Sequence, residues 1–207
     1  MAKVKEGARS MLSGKADGLV YVQFSGGAYT RKVPQRNKDS WTPRMLLNLQ
    51  RFKEVNSFCG QFKYSVIPQI WNGAAEKMSG YAFFLKSNMP AFAPDGSLGD
   101  AKKLRFSTGK LSWPEGFEAH RSELDTNKIE VKWPKYLNVG GVHLKDELII
   151  ISAADGQYSD ITATGIRREA LNGSFELPAL PIAAKHIYLF FGSIDHRDYS
   201  ESVCFEL

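Results

Sequence analysis

The chain has 207 residues, 43% of them apolar and 12% aromatic, which is enough to build a core and excludes disorder as the main state. Two cysteines and 18 glycines without a period exclude disulfide-scaffold and collagen-like classes. The formal net charge of +5 is unevenly placed: residues 1–53 carry eleven Lys or Arg against three acids, whereas residues 54–207 carry sixteen against nineteen. A basic head on a mildly acidic body predicts that the head meets something anionic.

The N-terminus carries charges with no apolar run after them, so the sequence predicts cytoplasmic synthesis without a secretory signal. Gly7 to Gly14-Lys15 departs from the phosphate-loop pattern. Its glycines stand too far apart, and Ala16 replaces the Ser or Thr that would meet magnesium. Residues 19–33 predict a β-hairpin with Val20, Val22 and Phe24 on one face and Tyr21 and Gln23 on the other. Gly26-Gly27 supplies the turn, and Pro34 ends the pairing by removing a donor. The alternation puts Arg31 and Lys32 on opposite faces.

Residues 34–42 read as a polar, basic linker, and Thr42-Pro43 as a helix start with Thr at the N-cap and Pro at the first helical position. Met45, Leu46, Leu49, Phe52 and Val55 then form an apolar stripe to about Phe58. A second helical pattern opens at Ile67-Pro68 and runs through Ile70, Trp71, Ala74, Ala75, Met78, Ala82 and Leu85. Gly73 and Gly80 inside it cost about 1 kcal/mol each relative to Ala and predict close approach of another element. Pro90, Pro94 and Asp95-Gly96 break the chain into a loop.

From about residue 102 the pattern changes to short strands. Residues 103–108 and 110–113 form a candidate hairpin around Gly109, and residues 128–133 alternate with Ile129, Val131 and Trp133 on one face. Residues 147–153 are a continuous apolar run, and residues 160–168, 174–177, 186–193 and 202–206 follow at regular spacing. That rhythm predicts an α+β, mainly β fold: an N-terminal hairpin with helices over 1–100, joined to an immunoglobulin- or fibronectin-like β-sandwich over 101–207. The longest apolar run is a few residues, far short of the roughly 18 that a membrane-spanning helix needs.

The chain holds no HExxH, GxSxG, GxGxxG or CxxC motif. Cys59 and Cys204 predict buried free thiols. Asp195-His196-Arg197-Asp198 is the densest polar cluster; it could bind a metal or orient a base, but between two strand patterns it reads as a loop. His120, His143 and His186 have no partner at metal-ligand spacing, and Asp146-Glu147 reads as a solvated strand entry. No catalytic residue, metal ligand or cofactor is assigned. An enzyme would have to assemble its site from Asp195, His196 and Asp198 across the two parts of the chain. Arg31, Lys32, Arg36 and Lys38 interleave with Tyr21, Phe24, Tyr29 and Trp41, the mixture used by single-stranded nucleic-acid surfaces.

Ser13-Gly14-Lys15, Arg31-Lys32-Val33-Pro34 and Thr42-Pro43 followed by Gln50-Arg51-Phe52 resemble the head of an uncharacterised protein family common in Bacteroidota. The tail is similar in Val131-Lys132-Trp133, Asp146, Arg167, Leu177-Pro178, residues 187–191 and Tyr199-Ser200-Glu201-Ser202. Lys38-Asp39-Ser40-Trp41 departs from the Asn-Pro that the family carries before the helix. The head also looks like short proteins encoded among phage and prophage structural genes. This resemblance implies a non-enzymatic assembly component, such as a virion part; the expected partners are proteins of a larger assembly, with a homo-oligomer as one form of it.

The resulting expectation is a structural or docking protein, with nucleic acid as the alternative partner. Its candidate contacts on the basic head are Lys15, Arg31, Lys32, Arg36, Lys38, Arg44 and Arg51. Asp195, His196, Arg197 and Asp198 in the 193–199 loop, and the 154–159 turn, are the candidate loop contacts.

Overall fold

The computed structural model describes residues 2–3, 13–24, 27–35, 41–135 and 143–207. Two compact units divide the chain at Pro43. The fold is mixed α/β, with three sheets and three α-helices among the described residues.

In the N-terminal unit, β1 (Ala2–Lys3), β2 (Gly14–Ala16), β3 (Leu19–Phe24) and β4 (Gly27–Lys32) form one antiparallel sheet in the order β1-β4-β3-β2. The hairpin read from residues 19–33 is β3–β4; Gly26 of its turn lies outside the described residues. β2 joins through a two-residue turn, Asp17-Gly18, whose positive φ values (50° and 69°) match what a tight hairpin turn needs. No described side chain of this unit is buried.

The second unit is layered around one sheet. Its centre is β7 (Glu147–Ala154) paired antiparallel with β11 (His186–Gly192). β8 (Gln157–Tyr158) and β9 (Thr162–Arg167) pair with β7, and β12 (Val203–Glu206) pairs with β11. A smaller sheet has β6 (Lys128–Lys132) between β5 (Glu118–Arg121) and β10 (Asn172–Glu176). Because side chains alternate along a strand, each central strand feeds two cores. Leu148, Ile150, Ile187, Leu189 and Phe191 pack against Ile129, Val131, Trp133 and Phe175 of the smaller sheet. Ile149, Ile151, Ala153, Tyr188 and Phe190 point the other way, into a helical layer. Burial on both faces explains why β7 and β11 read as unbroken apolar runs.

The helical layer therefore belongs with the sheets, not with the hairpin, and residue 100 is no boundary of this unit. α1 (Pro43–Gln61) contributes Val55, Phe58 and Cys59 to the core, and Phe62 follows just after it. The Phe58 ring meets Phe62, Phe84 and Phe106 at 5.1, 6.0 and 6.2 Å between centroids. The second predicted helix is broken in two. A π-helical turn at Ile67–Trp71 runs into α2 (Asn72–Ala74), Ala75 is extended, and α3 (Gly80–Asn88) restarts under the cap of Ser79 Oγ, which accepts from Ala82 N at 3.2 Å. Gly80 is a genuine close approach, since a Cβ there would press on the backbone of Trp71 and Asn72; Gly73 has open space.

The candidate hairpin around Gly109 does not form. Instead the 104–111 segment runs beside 199–202: Phe106 N donates to Ser202 Oγ (2.9 Å), Ser107 Oγ to the Ser200 carbonyl (2.7 Å), and Leu111 N to the Tyr199 carbonyl (3.1 Å). A Cβ on Gly109 would collide with that same Tyr199 carbonyl oxygen. Trp71 Nε1 donates to the Phe106 carbonyl at 2.9 Å, tying the segment to the helical layer.

Candidate docking surfaces and a basic cavity

The strand register sorts the basic residues of the head. Directly opposed residues in an antiparallel sheet share a face. Lys15, Val20 and Arg31 stand in one row, with Val22 and Tyr29 opposed next along the same face. Lys32 stands opposite Leu19, on the face of Tyr21 and Thr30. Lys15, Arg31 and Lys32 are exposed. Arg36 and Lys38 lie outside the described residues.

The apolar stripe read along α1 is corrected by the structure. Of Met45, Leu46, Leu49, Phe52 and Val55, only Val55 is buried. Leu46, Leu47, Leu49 and Phe52 are 47–50% exposed. At about 100° per residue, Leu46, Leu47, Leu49 and Phe52 spread over more than half of the helix circumference, and Leu47 and Phe52 point in nearly the same directions as the buried Phe58 and Cys59. The helix thus reaches the core only from Val55 onward, and residues 43–50 are all exposed. Arg44 and Lys53 are exposed at either end of this apolar stretch, and no carboxylate precedes Glu54 on the helix. Arg51 is not a free surface cation: its Nη2 donates to the Met89 carbonyl at 2.7 Å, securing α1 to the turn after α3.

The 195–198 cluster closes a turn. Ser193 Oγ donates to Asp195 Oδ1 (2.6 Å) and accepts from Arg197 N (3.2 Å) and Asp198 N (3.0 Å). The Ser193 hydroxyl, with the Arg197 backbone N–H, holds the Asp195 carboxyl below the usual aspartate range. His196 sits in the left-handed region at φ 53°. The hydrogen bonds of Asp195 therefore go to Ser193 and Arg197, the chemistry of a turn. Among the described residues, no group of three or more His, Cys, Asp or Glu is placed to hold a metal ion. Both cysteines are unpaired, and burial pushes the Cys59 thiol up to about 12.

Asp146 is not a solvated strand entry. Its side chain is 2% exposed, with Oδ2 3.7 Å from Arg168 Nη2 and 3.4 Å from His143 Nδ1. Arg168, 4% exposed, stacks its guanidinium on Phe191 at 4.2 Å and donates from Nη2 to the Ser112 carbonyl at 2.8 Å. Burial pushes the Asp146 carboxyl up, against the pull of Arg168 and His143, and lowers Arg168 in turn. Asp146 precedes β7 and Arg168 follows β9, so the pairing of Glu147 with Arg167 brings them together. Only knowledge of that pairing could have joined them.

Sequence reasoning also missed a basic cavity of about 440 Å³. Lys86 of α3, Lys102, Lys103 and Arg105 line it, with Glu201 as its one acidic residue. Lys102, Lys103 and Arg105 form a short basic run, but nothing local to that run shows that Lys86 of α3 joins it around one cavity.

A scan of protein-family models, a search of curated proteins and a search of solved structures each returned no match to this chain. No described helix is long and apolar enough to cross a membrane.

Proposed function

We propose that this chain is a non-enzymatic docking or assembly protein, in which the start of α1 meets an acidic, partly apolar protein surface and the basic head separately offers its cations to an acidic partner. The observation that carries this reading is the uncovered first half of α1. Leu46, Leu47, Leu49 and Phe52, half exposed within seven residues and flanked in sequence by Arg44 and Lys53, put an apolar stretch with cations at its ends at the surface, the composition of an interaction surface. These cations steer an acidic partner and the apolar side chains supply the affinity. Read more finely, the two facing sheets would be an immunoglobulin-like module, offering the 193–199 loop and the 154–159 turn as further contacts. The resemblance of the head to phage structural proteins supports a virion as the assembly.

The test is Leu49→Asp with Phe52→Asp in the full chain. The wild type is expected to form a symmetric oligomer by light scattering or to co-purify with one defined acidic protein. The double variant should lose that association while melting within a few degrees of the wild type. A wild type that is strictly monomeric and partnerless overturns the reading.

A second reading is favoured by a different observation, the row that places Lys15 and Arg31 beside Val20 on the face of Tyr29. Such a face suits single-stranded nucleic acid, with cations for phosphates and an aromatic ring for stacking. Fluorescence anisotropy with random DNA and RNA decides it: binding should fall steeply with salt, and absence of binding at about 50 mM salt removes it.

A further inference from the structure

We infer that the basic cavity beside α3 is a binding site for a phosphorylated small molecule of about nucleotide size. The body of the protein carries more acids than bases, sixteen Lys or Arg against nineteen Asp or Glu over residues 54–207. Within it, Lys86, Lys102, Lys103 and Arg105 nonetheless converge on one concavity whose lining holds a single carboxylate, Glu201, while Asp100 and Glu206 reach Lys103 and Lys102 from outside that lining. Concave walls of one sign focus the field and concentrate counter-charged ligands. Its volume of about 440 Å³ exceeds what an inorganic ion fills and falls in the range of small-molecule sites.

The cations are available. Lys86 makes no ion pair among the described residues. The pairs of Lys102 with Glu206 (3.5 Å), Lys103 with Asp100 (3.4 Å) and Arg105 with Glu201 (2.9 Å) join exposed side chains. Ion pairs of this kind are weak and exchange readily for a better anion. A phosphate offers three oxygens to charge-assisted donors, and Arg105 adds a planar fork that takes two of them. The half-buried Phe83 lines the same cavity and gives the organic part of such a ligand an apolar surface.

The backbone that presents these groups is held from below. Asn88, fully buried at the end of α3, donates from Nδ2 to the Phe84 and Arg105 carbonyls (both 3.0 Å) and accepts from Arg105 N at Oδ1 (2.8 Å). Arg105 is thereby fixed against the helix that carries Lys86. Asp100 Oδ1 accepts from Lys102 N at 3.0 Å and caps the turn of Lys102 and Lys103. Tyr188 Oη donates to the Ala101 carbonyl at 2.9 Å and ties that turn to the central sheet. The site is therefore preorganised in its backbone, with flexible cation tips that can close on an anion.

Calorimetric titration of the full-length protein with pyrophosphate, ATP and adenosine tests the site. Pyrophosphate and ATP should bind, adenosine should not, and affinity should fall as salt is added. Lys86→Glu with Lys103→Glu, both exposed positions, should weaken ATP binding by at least about tenfold, as expected for losing two charge-assisted contacts. Lys63→Glu, an exposed charge reversal outside the cavity, should leave it unchanged. The assignment is overturned if neither pyrophosphate nor ATP binds at millimolar concentration, or if Lys63→Glu weakens binding as much as the double variant. A random oligonucleotide that outcompetes ATP and is lost in the same double variant would give the cavity to nucleic acid and overturn it as well.

Discussion

The N-terminal sheet and the central sheet of the body are both antiparallel and both carry aliphatic residues, Tyr and Phe along their strands. In the first, every described side chain is at least partly exposed; in β7 and β11, every residue after the first is buried. The difference lies in what each strand meets. β7 and β11 divide their side chains between the smaller sheet and the helical layer, so each position has a partner. The head places cations in the rows of its apolar residues, with Lys15 and Arg31 flanking Val20. Such a sheet suits an interface better than a private core. A few strands with little buried apolar surface are marginal in isolation, which is the physical reason to expect a partner.

Substitutions that separate core from surface break or sharpen this contrast. The largest effect belongs to Phe106→Ala. Its ring is fully buried and meets Phe58, Phe62, Tyr158 and Tyr188, so the loss should be about 3–5 kcal/mol in a denaturant titration. A loss below about 1 kcal/mol would mean that the helical layer is not packed on the sheet as described. Next comes Arg168→Ala, which leaves Asp146 buried without its cation and strips the stacking on Phe191; about 3 kcal/mol is expected by the same titration. Gly109→Ala should cost about 1–3 kcal/mol by forcing the 104–111 segment away from Tyr199. A neutral result there would refute the side-by-side path of those two segments.

A smaller effect is readable in pH. Because burial raises the folded-state pKa of Asp146 above the ordinary value of 3.8, its protonated form is favoured on folding. The stability tied to that proton is complete below the ordinary value and is lost as pH rises through the folded one. Asp146→Asn keeps a neutral side chain throughout, so its melting temperature should gain on the wild type as pH rises above 3.8 and then level off. A difference that runs the other way would show the ion pair with Arg168 outweighing desolvation. Smallest of all, Lys32→Glu in the head should move the melt of the body by less than about 0.5 kcal/mol. A larger shift would make that charge structural and weaken the docking role assigned to the head.

Several elements were legible because their cause is local. Thr42-Pro43 marked the start of α1, and the apolar runs at 147–153 and 186–193 marked the central strands. The two Asp-Gly turns, Asp17-Gly18 and Asp155-Gly156, carry positive φ and close hairpins; the first was a readable sign of β2 that the pattern of residues 19–33 overshadowed. The stripe on α1 misled for a different reason. Periodicity shows that a helix has apolar side chains in a row, but not how much of its length the fold covers, and here the covering begins only at Val55. The split of the second helix was equally hidden, because Ala75 and Met78 fit a continuous helical pattern that the turn before α3 interrupts.

The sequence by itself determined a strand-rich body, a basic head, the hairpin over 19–33 and the alternation that sets Arg31 and Lys32 on opposite faces. These follow from short-range rules: two-residue periodicity, turn chemistry and charge counting. Only the tertiary structure decided that the helices share a core with the sheets, and that Asp146 meets Arg168. It alone gathered Lys86, Lys102, Lys103 and Arg105 around one cavity. Each of these depends on contacts between residues far apart in the chain, and long-range pairing is set by the whole packing of the fold rather than by any local pattern of residues.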